Sequence, residues 1–237
     1  MVFKKRPDGR GFEDLREMDA KVGVIKRADG SAWFKIGDTE AYAAVYGPRN
    51  LFPKFMQDPR KAILRCHYNM LPFSGSGDRI RPGGNRRSKE ISFVTKQALL
   101  PVLDLSKYPN AVVDVFIELP QTDAGSRCAG ITAAAMALAD AGLPMKDLVS
   151  SVAVGRVDDK ILADLCYDEE AYEDGPVADI PLAFLPGSQK ITLLQMDGEI
   201  TKEMIMDSLE LGKKVLTKIH AVQIKALKDK FGDGKDD

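Results

Sequence analysis

The apolar positions of this chain change period several times, and each change marks an element. Short β-prone runs over Lys21–Lys26, Ala32–Ile36 and Glu40–Tyr46, broken by Ala28-Asp29-Gly30 and Gly37-Asp38, predict an N-terminal meander. Ala62–Met70 alternates, placing Leu64, Cys66 and Tyr68 on one face of a strand and Arg65 and His67 on the other. A loop rich in Gly and Arg follows, Ser74–Asn85. Ile91, Val94, Ala98 and Leu99 then recur at helical spacing within Ser88–Leu103, with Arg86 and Arg87 at the helix start. The apolar run Ala111–Leu119 reads as a buried strand. Thr122–Arg127 opens a small-residue helix that runs to Ala141 and stops at Gly142-Leu143-Pro144.

The second part of the chain repeats this order. Ser151–Val157 and Lys160–Leu165 predict a hairpin around Asp158-Asp159. Ile180–Leu185 and Lys190–Met196 read as two more strands, the second ended by Asp197-Gly198. Thr201 caps a long helix with Ile205, Leu209, Leu216, Ile219, Val222 and Leu227 on one face. Strands followed by helices, twice over, predict an α+β (mixed α/β) fold. Its two related halves are residues 1–148 and 149–237, joined near Asp147–Ser150.

Composition narrows the class. With 237 residues, 44% hydrophobic and 29% charged, the chain has a globular balance and enough core to need no metal or disulfide staple. Its three cysteines lack C-x-x-C spacing, which argues against a zinc ribbon or a disulfide framework. No apolar run reaches the roughly 18 residues of a membrane span, and no secretory signal pattern is present, so a cytoplasmic protein is expected. The net charge of −1 argues at first against nucleic acid. It conceals two opposite stretches. Leu51–Leu100 holds ten basic and three acidic residues, a net +7, and Asp158–Asp179 holds nine acids against Lys160, a net −8. Such segregation allows one region to grip phosphates while another holds a cation.

Gly125-Ser126-Arg127 lies where a buried strand turns into a helix. A helix start offers free N–H groups, Gly admits an anion close to the backbone, and Ser and Arg add donors that suit phosphate oxygens. The loop lacks the Gly-Lys-Ser/Thr of a nucleotide P-loop. Arg86, Arg87 and Arg65 add cations for a groove that tracks a nucleic-acid backbone. Tyr68 and Phe73 either stack on bases or pack in the core. Asp179, placed just before a buried strand, either holds Mg²⁺, donates a proton to a leaving hydroxyl, or closes a turn. His67 and His220 lack metal-ligand spacing, and His220 reads as a surface residue of its helix.

Six segments share one order and spacing: Arg6-Pro-Asp-Gly-Arg10, Gly37-Asp-Thr39, Tyr46-Gly-Pro48, Arg86-Arg-Ser-Lys-Glu-Ile91, Gln121-Thr-Asp-Ala-Gly-Ser-Arg127 and Val177-Ala-Asp-Ile-Pro181. From about Arg6 to about Ala226 the chain resembles the RNase PH family of phosphorolytic exoribonucleases, and its exosomal branch most closely. The resemblance implies duplicated halves like ribosomal protein S5 domain 2. It implies 3′→5′ degradation of single-stranded RNA ends by inorganic phosphate, with Mg²⁺ assistance and release of nucleoside diphosphates. Arg87, Ser126 and Arg127, with the Gly125 backbone, would bind phosphate. Asp179 would be the catalytic acid or metal carboxylate. Arg65 and Arg86 would hold RNA, with His67 and Tyr68 beside them. The implied partners are a homologous inactive subunit, alternating three-plus-three in a hexameric ring, and S1/KH-type RNA-binding caps. Two residues depart from the family pattern: Asp179-Ile-Pro181 replaces the Asp-x-Asn of stand-alone bacterial enzymes, and His67 occupies a position expected to be basic. The competing readings are a stand-alone tRNA 3′-end phosphorolase and a non-catalytic RNA-binding ring subunit.

Overall fold

A computed structural model describes residues 3–76 and 79–232. Thus Gly77 and Asp78 of the Gly/Arg-rich loop, and residues 233–237 of the polar tail, lie outside the described residues. The first sheet has five strands in the order β1-β2-β3-β5-β4: β1 (Met18–Val22), β2 (Gly30–Ile36), β3 (Thr39–Asn50), β4 (Ile63–Met70) and β5 (Ala111–Gln121). Its pairs are antiparallel except β4 with β5, which are parallel and joined through α1 (Arg86–Leu99). The second sheet comprises β6 (Ser150–Val157), β7 (Lys160–Ala163), β8 (Val177–Leu185), β9 (Lys190–Leu194) and β10 (Asp197–Gly198). There β8 pairs with β6, β9 and β10, all antiparallel. A single helical turn, α3 (Tyr167–Glu170), sits between β7 and β8.

α2 (Ser126–Asp140) is the centre of the molecule. It packs on β2, β3 and β5 of one sheet and on β6 and β8 of the other. A helix covered on both sides has no polar face to show, and Cys128–Leu138 is buried throughout. Its small side chains let the sheets approach, and a Cβ at Gly130 would stand 3.1 Å from Ile117 Cγ2. The resulting apolar core is continuous across both sheets. α4 (Lys202–Phe231) lies over the second sheet and reaches β1, started by the Thr201 hydroxyl, which accepts from the Met204 N–H at 3.3 Å.

Three boundaries differ from the sequence expectation. β1 ends at Val22 rather than near Lys26, because Gly23 (φ +73°) turns the chain. α1 starts two residues early, so Arg86 and Arg87 belong to its first turn, and it ends at Leu99, two residues before Pro101. β8 starts at Val177, which places Asp179 inside the strand rather than ahead of it. All three cysteines are free and buried, and among the described residues no helix is long and apolar enough to cross a membrane.

Candidate active site

The starts of two helices behave differently. At α1 the Asn85 side chain accepts from the Ser88 N–H (2.7 Å) and the Ser88 hydroxyl accepts from the Asn85 N–H (2.9 Å), so the protein satisfies this end itself. At α2 the N-cap is Gly125 (φ +62°), which has no side chain to offer. The N–H groups of Cys128 and Ala129 bond the Gly125 carbonyl oxygen (3.0 and 3.1 Å), which leaves those of Ser126 and Arg127 as the donors without a partner among the described residues, as an anion site requires. Gly125 is left-handed and Ser126 after it is helical, a pair of opposite hand whose successive N–H groups make a concave donor nest, and Ala124 before it also has a positive φ (+52°).

Side chains converge on that nest. Arg87 from α1, Gly125, Ser126 and Arg127 from the start of α2, Glu170 from α3, Asp179 from β8 and Asp197 from β10 line one cleft of about 520 Å³. Strand register explains the pairing of the acids, because Asp179 stands opposite Asp197 on one side and opposite Gly155 of β6 on the other. A Cβ at Gly155 would meet the Ala178 carbonyl oxygen at 2.0 Å, so only glycine lets β6 and β8 run this close. Arg127 is held by Gln195, whose Oε1 accepts at 2.5 Å, and lies 3.5 Å from Glu90. Gln195 in turn donates to Glu90 at 2.8 Å.

The carboxyls here are far from ordinary. Burial pushes Asp179 up to about 6; Arg127 and Arg87 pull it back, while Asp197 adds to the rise. Burial and the Asp179 charge push Glu170 up to about 7. Glu170 feels the Asp179 charge, so the two do not ionise independently. The guanidiniums of Arg87 and Arg127 face the carboxyls of Glu90, Glu170, Asp179 and Asp197. A phosphate dianion therefore binds here only if some carboxyls keep protons or a cation joins them.

A Mg²⁺ ion suits that requirement. Asp179 Oδ1 is buried and has no hydrogen-bond partner, and Asp197 is its cross-strand neighbour. Among the described residues no group of three or more His, Cys, Asp or Glu side chains forms a metal cage. One or two carboxylates, with water and substrate phosphate completing the shell, is the set that Mg²⁺ accepts and Zn²⁺ does not.

Of the predicted phosphate-site and acid residues, Arg87, Gly125, Ser126, Arg127 and Asp179 meet in this cleft. The predicted RNA contacts do not. Arg65 lies on the outer face of β4 in a two-point pair with Asp114 (2.6 and 2.8 Å), and His67 stacks on Phe116 at 4.8 Å on the same face. Arg86 is exposed on the first turn of α1 and does not line the cleft. Of the two readings of Tyr68, base stacking and core packing, its burial favours the second, since it is only 4% exposed. Its hydroxyl instead donates to Ser126 Oγ at 2.9 Å. Burial pushes the Tyr68 phenol up to about 12, so it stays protonated and able to donate to Ser126. Phe73 is exposed. His220 is half-buried, and its Nδ1 has no partner.

Glu170, Asp197, Glu90 and Gln195 were not singled out by sequence reasoning. Glu170 is one of nine acids in its stretch, and Asp197 comes to the site only through the β8–β10 register.

Comparison with known proteins identifies the family. Sequence models of the 3′ exoribonuclease family match in succession, domain 1 over residues 14–144 and domain 2 over residues 147–215. The chain is 50% identical over 227 residues to "Exosome complex component Rrp41" of Thermococcus gammatolerans, covering 96% of this chain and 90% of that protein. It is 47% identical to the protein of the same name from Methanopyrus kandleri (96% and 93%) and 43% identical to that from Nitrosopumilus maritimus (98% and 94%). Its fold is similar to the crystal structure of rice Rrp46, with a TM-score of 0.83 over 94% of this chain and 100% of that one, at 24% identity. Both halves of the chain match the same family in order, and its relatives match over nearly their whole length: the chain belongs to the RNase PH family of 3′ exoribonucleases.

Proposed function

We propose that the chain is the phosphorolytic subunit of an exosome-type ring, degrading single-stranded RNA from its 3′ end and releasing nucleoside 5′-diphosphates. The observation that carries this reading is the uncapped start of α2, flanked by Arg87, Ser126 and Arg127 and set against Asp179 and Glu170 across one cleft. An oxygen of inorganic phosphate attacks the terminal phosphodiester phosphorus, the P–O3′ bond breaks, and the shortened RNA keeps its 3′ oxygen. That oxygen needs a proton, and the Asp179–Glu170 pair holds one near neutral pH. The arginines and the α2 start neutralise the attacking anion and orient it against an already anionic diester. A Mg²⁺ ion would be held by Asp179 in its ionised form, with Asp197 beside it, and would supply further positive charge when bound, the proton then resting on Glu170.

The ring assignment extends the name shared by the Rrp41 relatives. Its partners would be a homologous inactive subunit alternating three-plus-three in the hexamer and S1/KH-type caps, acting in the cytoplasm. Arg65, Arg86 and His67 would then meet RNA outside the cleft, where the partner closes the groove.

The test is single-stranded RNA incubated with the chain, alone and with its partner, with and without phosphate. Nucleoside diphosphate should appear only with phosphate, and Asp179→Asn should lower kcat by about 10²–10⁴-fold. At saturating phosphate, kcat should fall as pH rises through about 6–7, where the carboxyl pair loses its proton. Phosphate-independent decay, or no product in any assembly, overturns the reading.

A further inference from the structure

Behind the phosphate nest lies a polar cluster that the proposed chemistry does not use. Ala124 is an alanine in the left-handed region, a conformation that costs a side-chain-bearing residue about 1–2 kcal/mol. Neighbours must hold it there. The single proton of Thr39 Oγ1 is shared between the carbonyl oxygens of Ala124 (2.9 Å) and Asp123 (3.0 Å), and the same oxygen accepts from the Asp123 N–H (2.9 Å). Arg16 Nη1 donates to the Asp123 carbonyl oxygen and to its Oδ2 at 3.1 Å. Asp123 Oδ1 accepts from the N–H of Tyr167, the first residue of α3, at 3.0 Å.

Arg16 is itself held on its other side. It is buried, and its Nε and Nη2 donate to both oxygens of Asp164 at 2.9 and 2.7 Å. One carboxylate, that of Asp123, thus links the N-terminal arm, the nest and the short helix that carries Glu170.

We propose that Asp123 and Arg16 are positioning residues for inorganic phosphate: their ion pair holds Ala124 and Gly125 in the shape that aims the start of α2 at the anion. This rests on the phosphorolytic reading for its ligand, but neither residue lines the cleft.

Asp123→Asn separates this role from long-range electrostatics by sign. Removing a negative charge near an anion site tightens anion binding. Loosening the clamp misplaces the donors and weakens binding, since small displacements in a preorganised site are costly. The experiment is calorimetric titration of inorganic phosphate into the full-length chain, with single-stranded RNA affinity measured in parallel. Phosphate affinity should fall at least tenfold in Asp123→Asn. It should fall likewise in Arg16→Lys, which keeps a cation beside Asp164 but cannot fork to Asp123. RNA affinity should stay within twofold in both variants. Asp8→Asn removes a carboxylate that pairs with Arg10 on the same arm and should change neither. Unchanged or tighter phosphate binding overturns the proposal, as does equal loss of phosphate and RNA affinity. A wild-type chain that binds phosphate but releases no diphosphate sinks the phosphorolytic reading and leaves this test standing. One that binds no phosphate overturns both.

Discussion

Glu170 shows how a site can be bought at the expense of stability. Its carboxyl titrates near 7 in the folded chain against an ordinary value of 4.5. Between those values the folded state keeps a proton that the unfolded chain has released, so stability declines as pH climbs through the window. Above about 7 the cost is complete. Glu170→Gln removes it and should raise Tm by about 3–6 °C at pH 8, with little change at pH 4. Thermal melts of both proteins across that range check this, and parallel curves would refute it. Arg87, Gly125, Ser126, Arg127 and Asp179 were legible because residue type alone suits each to phosphate or proton chemistry. Glu170 was not, because nothing in an acidic run says which carboxyl will be buried beside Asp179. Tyr68 was legible in position but not in role: the alternation of β4 puts it inward with Leu64 and Cys66, and inward it serves Ser126 rather than a base.

The secondary elements set the angles at which these groups meet. Small residues announced α2, and the period of two announced β4, because burial pattern and backbone geometry share one cause there. The two-residue β10 has no such pattern, and only its pairing to Ala178 and Asp179 makes it a strand. The contact of β6 with β8 depends on Gly155 lacking a Cβ. Gly155→Ala forces these strands apart beneath Asp179, so it should destabilise the chain by about 1–3 kcal/mol and lower phosphorolysis together with Tm. Urea unfolding and the RNA assay measure the two effects. Full activity at native stability would show that the strands can separate without cost.

Across the whole molecule, the near-neutral charge is resolved in space: Arg87 and Glu90 from the basic stretch meet Glu170 and Asp179 from the acidic one in a single cleft. The N-terminal arm fastens that assembly. Arg6 and Glu169 form a fully buried two-point pair at 2.7 and 2.8 Å, and the Arg6 guanidinium also donates to the carbonyl oxygens of Ala163 and Asp164. Arg6→Met strands a buried carboxylate and should cost about 3–5 kcal/mol. Adding Glu169→Leu should restore most of it. A double variant no more stable than Arg6→Met would show that the loss comes from something other than the unpaired charge.

The partners in this buried pair are 163 positions apart in the chain. In a chain made from its amino end, Arg6 is therefore in place long before Glu169, the carboxylate that forms its two-point pair. Until then the arm stays in water with its guanidinium hydrated. This arm is therefore among the last segments to be fixed, and the phosphate nest meets all its acids only once β10 has followed β8, so a chain cut short before them carries no working nuclease.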